Sequence, residues 1–252
     1  MTSKSMLVAK ADLKMAMKSK HIKYSLVFLA ALAPVMLILI IGLPAALIDP
    51  ASPDYIVVNL FLPLGASMLT LMAVIPAGLI AANALVGERE SNTLEPLLCT
   101  PLTDRELIWG KTLSSLIPCL TILFAGTLAS SIGINILMVA FNRPLLLFPD
   151  PAGAFLIFAA GPVVVLSIVS TMILVSGRVS KVYEAYQSGT IAALVLMIPL
   201  FAPMTSLETG MADPSTIWFT NIVTFIIASA IASITWAIAL KRFNRDKMVS
   251  LV

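Results

Sequence analysis

The sequence is poor in the groups that carry chemistry. It has one histidine, His21, and two cysteines, Cys99 and Cys119, in 252 residues. One cysteine lies in a polar stretch and the other in an apolar run, so they make neither a disulfide framework nor a CxxC metal pattern. Charged residues are 12 % of the chain, against about a quarter in a soluble domain. No Asp, Glu, Lys, Arg or His falls in the middle of a long apolar run. Ion-coupled carriers usually need an ionisable group inside the membrane to bind or relay the coupling ion. Intramembrane hydrolases need a nucleophile–base pair or a metal. The absence counts against both classes, and more against the enzyme, because neutral oxygens also bind sodium. A GxxxxGK[ST] phosphate loop is missing too. Gly110-Lys111-Thr112 has no upstream glycine at the right spacing and opens an apolar run. The first apolar run is too long for a cleavable signal peptide and no clear cleavage site follows it.

What is present is apolar surface. The chain is 59 % hydrophobic with a mean hydropathy of +1.01. That excess has to face lipid. The apolar runs are long and unbroken, unlike the alternating segments of about ten residues in barrel strands. The expected fold is an all-α membrane protein with six transmembrane helices, at 24–48, 56–86, 107–141, 152–175, 189–204 and 217–240. Residues 1–23 precede them, with Lys10, Lys14 and Lys18 in one i, i+4 row and Met6, Ala9, Leu13 and Met17 at helical spacing. This predicts a basic amphipathic helix lying at the membrane surface. The second and third spans exceed the roughly 20 residues that cross a bilayer. The third holds Pro118 and the small residues Gly126, Ser130 and Gly133, which permit close helix contact. The fifth is short and contains Pro199 and Pro203, leaving a broken or re-entrant segment open over 199–216. Asn83, Asn135 and Asn221 are expected to hydrogen-bond between helices.

With six spans, fifteen of the 16 Lys and Arg residues fall on one side, including the basic tail 241–252, and Arg143 alone falls on the other. The positive-inside rule then places both termini in the cytoplasm. The densest charge lies in 87–111, GERESNTLEPLLCTPLTDRELIWGK. It reads as two short helices. Asn92 with Glu95 fits a capping box, and Leu94, Leu97 and Leu98 give the first helix one apolar face before Thr100-Pro101 ends it. Thr103 with Glu106 is a second capping box leading into the third span. A two-turn helix is unstable alone, so it packs on its neighbours or on a partner.

The pattern Glu88, Glu90, Thr93-Leu94-Glu95, Leu97-Leu98, Pro101 and Gly110-Lys111 resembles the cytoplasmic loop of ABC-type-2 transporter permeases, exporter-type membrane subunits that include sodium-efflux-like ones. Asn92 stands where the family often has glycine. The turn 176–188, with Arg178, Lys181 and Glu184, also resembles the family. The resemblance implies a coupling helix between spans 2 and 3 that seats in a groove of a separate ATPase subunit. Leu94, Leu97 and Leu98 would fill the groove, and Glu88, Arg89, Glu90, Glu95, Arg105 and Lys111 would form the charged surround, with Thr93 and Pro101 bounding the helix. It further implies that this chain is non-catalytic and binds no cofactor, that ATP and Mg2+ sit on the partner, that a second permease copy completes the transporter, and that the whole lies in the plasma membrane. Membrane lipid is expected as a partner and nucleic acid is not. No Glu-Ala-Ala loop of the importers is found. The alternative is a stand-alone channel or secondary carrier. Family cargoes range from sodium to lipid-linked molecules, peptides and drug-like amphiphiles; the charge-free interior favours an amphiphile over a bare ion.

Overall fold

The computed structural model describes residues 4–90, 102–177, 179, 183–184, 187 and 213–242, and every regular element among them is helical. Helix α1 (Lys4–Lys18) turns at Ser19 into α2, which runs over Lys20–Leu37, through a π turn at Ile38–Gly42, and into Leu43–Leu47. Helix α3 spans Ile56–Glu90 and α4 spans Asp104–Ala140. Helix α5 begins at Pro151–Phe155, passes a π turn at Leu156–Ala160 and continues over Gly161–Ser176. Helix α6 is Pro214–Arg242. Among the described residues five segments are long and apolar enough to cross a membrane: Ile22–Leu47, Pro53–Glu88, Asp104–Ala140, Pro151–Ser176 and Pro214–Lys241. They match the first four expected runs and the last. The run at 189–204 and the tail beyond 242 lie outside the described residues, so the six-span count rests on the sequence.

Helix α3 is the central one. Its alanines, Ala66, Ala73, Ala77 and Ala81, are fully buried and let α5 approach closely with Ile157, Val164, Val165 and Val169. Buried hydroxyls mostly turn back on their own helix: Thr70 donates to the Ala66 carbonyl at 2.9 Å, Thr127 to Leu123 at 2.7 Å and Ser130 to Gly126 at 2.7 Å. That satisfies them without opening a polar path. Bonds between helices are fewer. Asn221 of α6 donates to the Ala152 carbonyl of α5 at 2.9 Å, and Thr235 to the Ser170 hydroxyl at 3.0 Å. The three asparagines thus divide. Asn221 joins two helices, Asn135 exchanges two bonds of 3.1 Å with Leu146 in the following loop, and Asn83 bonds the Leu79 carbonyl of its own helix at 2.8 Å.

Small residues in α4 make close contacts. A side chain at Gly126 would press on Leu69, and one at Gly133 would overlap Ile38 in the π turn of α2. Gly133→Leu is therefore expected to cost about 1–3 kcal/mol by overpacking. The check is the thermal midpoint in detergent, with Ile38→Ala in the same chain restoring part of the loss.

Helices α3 and α4 contain 35 and 37 residues, so each is roughly 50 Å long against a hydrocarbon thickness of about 30 Å. Both reach the stretch 87–111 and carry their charges there. At the other end, Arg143 bonds the Ala46 carbonyl at 3.3 Å and meets Asp49 at 3.5 Å. Asp150 begins α5 there beside a cavity of about 300 Å3 lined by Asn59, Pro63, Pro214 and Trp218. Burial pushes its carboxyl above the usual carboxylate range; nearby amides, Gly153 first, pull it back less, and none meets Oδ1 in hydrogen-bonding geometry. A raised folded pKa means the folded chain holds its proton longer than the unfolded chain. Stability then falls as pH rises through that interval. Asp150→Asn keeps a capping residue but removes the ionisation. Its stability relative to the native chain should rise as pH increases above the ordinary aspartate range, as read from paired thermal midpoints.

Candidate functional site

The two long helices meet at the base of 87–111. Glu88 lies in the last turn of α3 and Lys111 two turns into α4, 23 residues apart in sequence. Lys111 Nζ sits 2.7 Å from Glu88 Oε1. A second carboxylate reaches it from α1, with Asp12 Oδ2 at 3.3 Å. The lysine side chain is 2 % exposed, that of Glu88 14 % and that of Asp12 15 %. An ammonium so deeply buried requires such partners, because an unpaired one would be neutralised or expelled. Three helices are thereby tied at one nitrogen.

The local sequence explains why the ammonium is held there. Thr103 and Glu106 form the predicted capping box: the Thr103 amide donates to Glu106 Oε2 at 2.8 Å, and the Glu106 amide donates to Thr103 Oγ1 at 3.3 Å. This fixes where α4 starts and which face Lys111 occupies. Leu107, Ile108 and Gly110 on the same turns are buried. Ser114 and Ser115 donate to the Lys111 carbonyl at 2.8 and 3.2 Å. Gly110 admits α1: a side chain there would come within 2.7 Å of Val8 and 3.0 Å of the Ser5 carbonyl. Trp109 faces outward onto Trp236 of α6, with ring centroids 4.5 Å apart. Beside the ion cluster lies a cavity of about 450 Å3, lined by Asp12, Ser19, Ile80, Asn83, Glu88 and Lys111 among others.

A long polar loop set between two over-long apolar helices, with its ends locked together, is a feature that a family comparison can test. The model for "ABC-2 family transporter protein" matches residues 6–160, more than half of the chain. The chain belongs to the ABC-2 transporter family. The match runs from α1 through the start of α5, so it contains the whole ion cluster and the loop. A comparison with curated proteins gives no match. The ABC-2 assignment and the apolar helices together describe a multi-pass membrane transport protein.

The structure locates part of the sequence-predicted surface. Glu88 and Lys111 pair with each other at the base of the loop, and Arg105 is exposed. Thr93, Leu94, Glu95, Leu97, Leu98 and Pro101 lie outside the described residues, as do the side chains of Arg89 and Glu90. In the second polar turn Glu184 is exposed, while Arg178 and Lys181 lie outside the description. Sequence reasoning missed Asp12. The signal was available: Asp12 is the only acidic residue of α1, and it lies one turn from Val8, on the helix's buried side rather than in its lysine row.

Proposed function

We propose that this ABC-2 chain is the permease subunit of an ATP-driven exporter, and that a separate ATPase subunit binds Mg2+ and ATP and hydrolyses the nucleotide. The observation that carries the reading is the Lys111–Glu88 bond of 2.7 Å. It joins the stems of the loop, so a push delivered to the loop moves α3 and α4 together, each as a lever roughly 50 Å long. The push comes from docking of the helix 93–99, whose Leu94, Leu97 and Leu98 fill a groove on the ATPase while Glu95 and Arg105 set its orientation. The loop, both termini and the basic residues other than Arg143 face the cytoplasm of the plasma membrane. A sixth span at 189–204 and a second permease copy complete the transporter. Nucleotide binding by a partner is in keeping with these 252 residues, which carry no GxxxxGK[ST] pattern.

The tagged chain, extracted from native membranes, is expected to bring down an ATP-binding cassette subunit with vanadate-sensitive ATPase activity. A panel of amphiphiles, peptides and sodium then reads out which cargo stimulates it. Undiminished ATP-driven transport after deletion of 91–101 overturns the reading. So does transport by the purified chain alone in liposomes, the behaviour of a channel or secondary carrier.

A further inference from the structure

We propose that Asp12 is a positioning residue that makes α1 a third moving part of the coupling device, in register with the two stems of the loop. The inference rests on the exporter reading above. Its basis is the arrangement of two carboxylates around one ammonium. Lys111 Nζ is held tightly by Glu88 at 2.7 Å and more loosely by Asp12 at 3.3 Å. The first bond joins α3 to α4 and the second joins α1 to both. Helix α1 also packs along α4, with Ser5, Leu13 and Ala16 half-buried. Val8 and Ala9 are its buried residues, seated where Gly110 leaves room. Lys10, Lys14 and Lys18 are exposed, as are Met6, Leu7, Met15 and Met17. A single residue, Ser19, connects α1 to α2. The cavity beside the cluster gives the Asp12 face of α1 space to move and water a way to the ions. When the stems shift, Lys111 moves with Glu88, and the longer Asp12 contact either draws α1 along or breaks.

The asymmetry makes the test clean. Neutralising Asp12 leaves Lys111 paired with Glu88, so Asp12→Asn folds while α1 loses its tie to Lys111. The experiment is amide hydrogen exchange on the reconstituted permease–ATPase complex, nucleotide-free and trapped with ATP, Mg2+ and vanadate. In the native complex, exchange in residues 5–18 is expected to change tenfold or more between the two states, together with the stems near 88 and 111. In Asp12→Asn, residues 5–18 should exchange at least tenfold faster than native in the nucleotide-free state and no longer respond to trapping, while the stems still do. Asp12→Glu should restore the response, which a purely packing role would not require. Native α1 protection in Asp12→Asn overturns the proposal, as does a native α1 that ignores trapping while the stems respond. If α1 is released in Asp12→Asn but no part of 87–111 responds to trapping in the native complex, the exporter reading fails and α1 is reduced to a static clamp.

Discussion

Lys111→Met is expected to lower stability by about 3 kcal/mol, the lower end of the range for removing one partner of a buried ion pair. The cause is what remains. Glu88 and Asp12, 14 % and 15 % exposed, would face each other across an apolar side chain with no cation between them. Two like charges in a poorly solvated site repel more strongly than they would in water. For a chain of this size the loss corresponds to a fall in thermal midpoint of roughly 6–12 °C. A second variant separates charge from packing. Combining Lys111→Met with Glu88→Gln and Asp12→Asn removes every charge, and stability should return to within about 1 kcal/mol of native, because an intact buried ion cluster contributes little net stability over neutral packing. If the triple variant is as unstable as the single one, the lysine is held by shape, and the electrostatic account of the site is wrong.

The cluster also shows where the sequence was informative and where it was not. The apolar runs at 56–86 and 107–141 are visible because lipid imposes hydropathy residue by residue. The capping box at Thr103 and Glu106 is visible because its partners lie three residues apart and the motif is local. The pairing of Lys111 with Asp12 spans 99 positions, and nothing local to either residue announces it. The sequence showed Lys111 as one charge among eight in a polar loop, whereas the fold turns its side chain inward, onto the seam between α1, α3 and α4. The glycine before it has the same character. Gly110 looks like half of a Gly-Lys motif and proves to be the seat of Val8. Helix α1 itself was predicted from its lysine row, which is exposed, and from an apolar row of which Ala9 is buried and Met6 and Met17 are exposed. Its attachment depends on the face where Val8, Ala9 and Asp12 sit.

Leu97→Asp is expected to abolish ATP-driven transport while leaving the membrane bundle folded. In the sequence Leu97 falls between the last residue of α3 and the first of α4, and a role confined to docking leaves the thermal midpoint unchanged. Its effect falls on docking. Leu94, Leu97 and Leu98 recur at helical spacing in the sequence, the pattern from which the docking helix is proposed. In the docking proposed above the leucines are buried in the ATPase groove, and a central anchor in such an interface contributes about 2–4 kcal/mol. A carboxylate there loses the apolar contact and adds an unpaired charge to a desolvated groove. The affinity for the ATPase should fall by roughly 30- to 1000-fold, read as loss of the ATPase from the tagged permease at equal expression and equal thermal midpoint. Lys111→Met and Leu97→Asp are opposite controls. The first strikes the base of the lever and is read in stability; the second strikes its tip and is read in partner binding. A Leu97→Asp chain that retains its ATPase and pumps normally removes the leucine face from the mechanism, whatever the fate of the ion cluster below it.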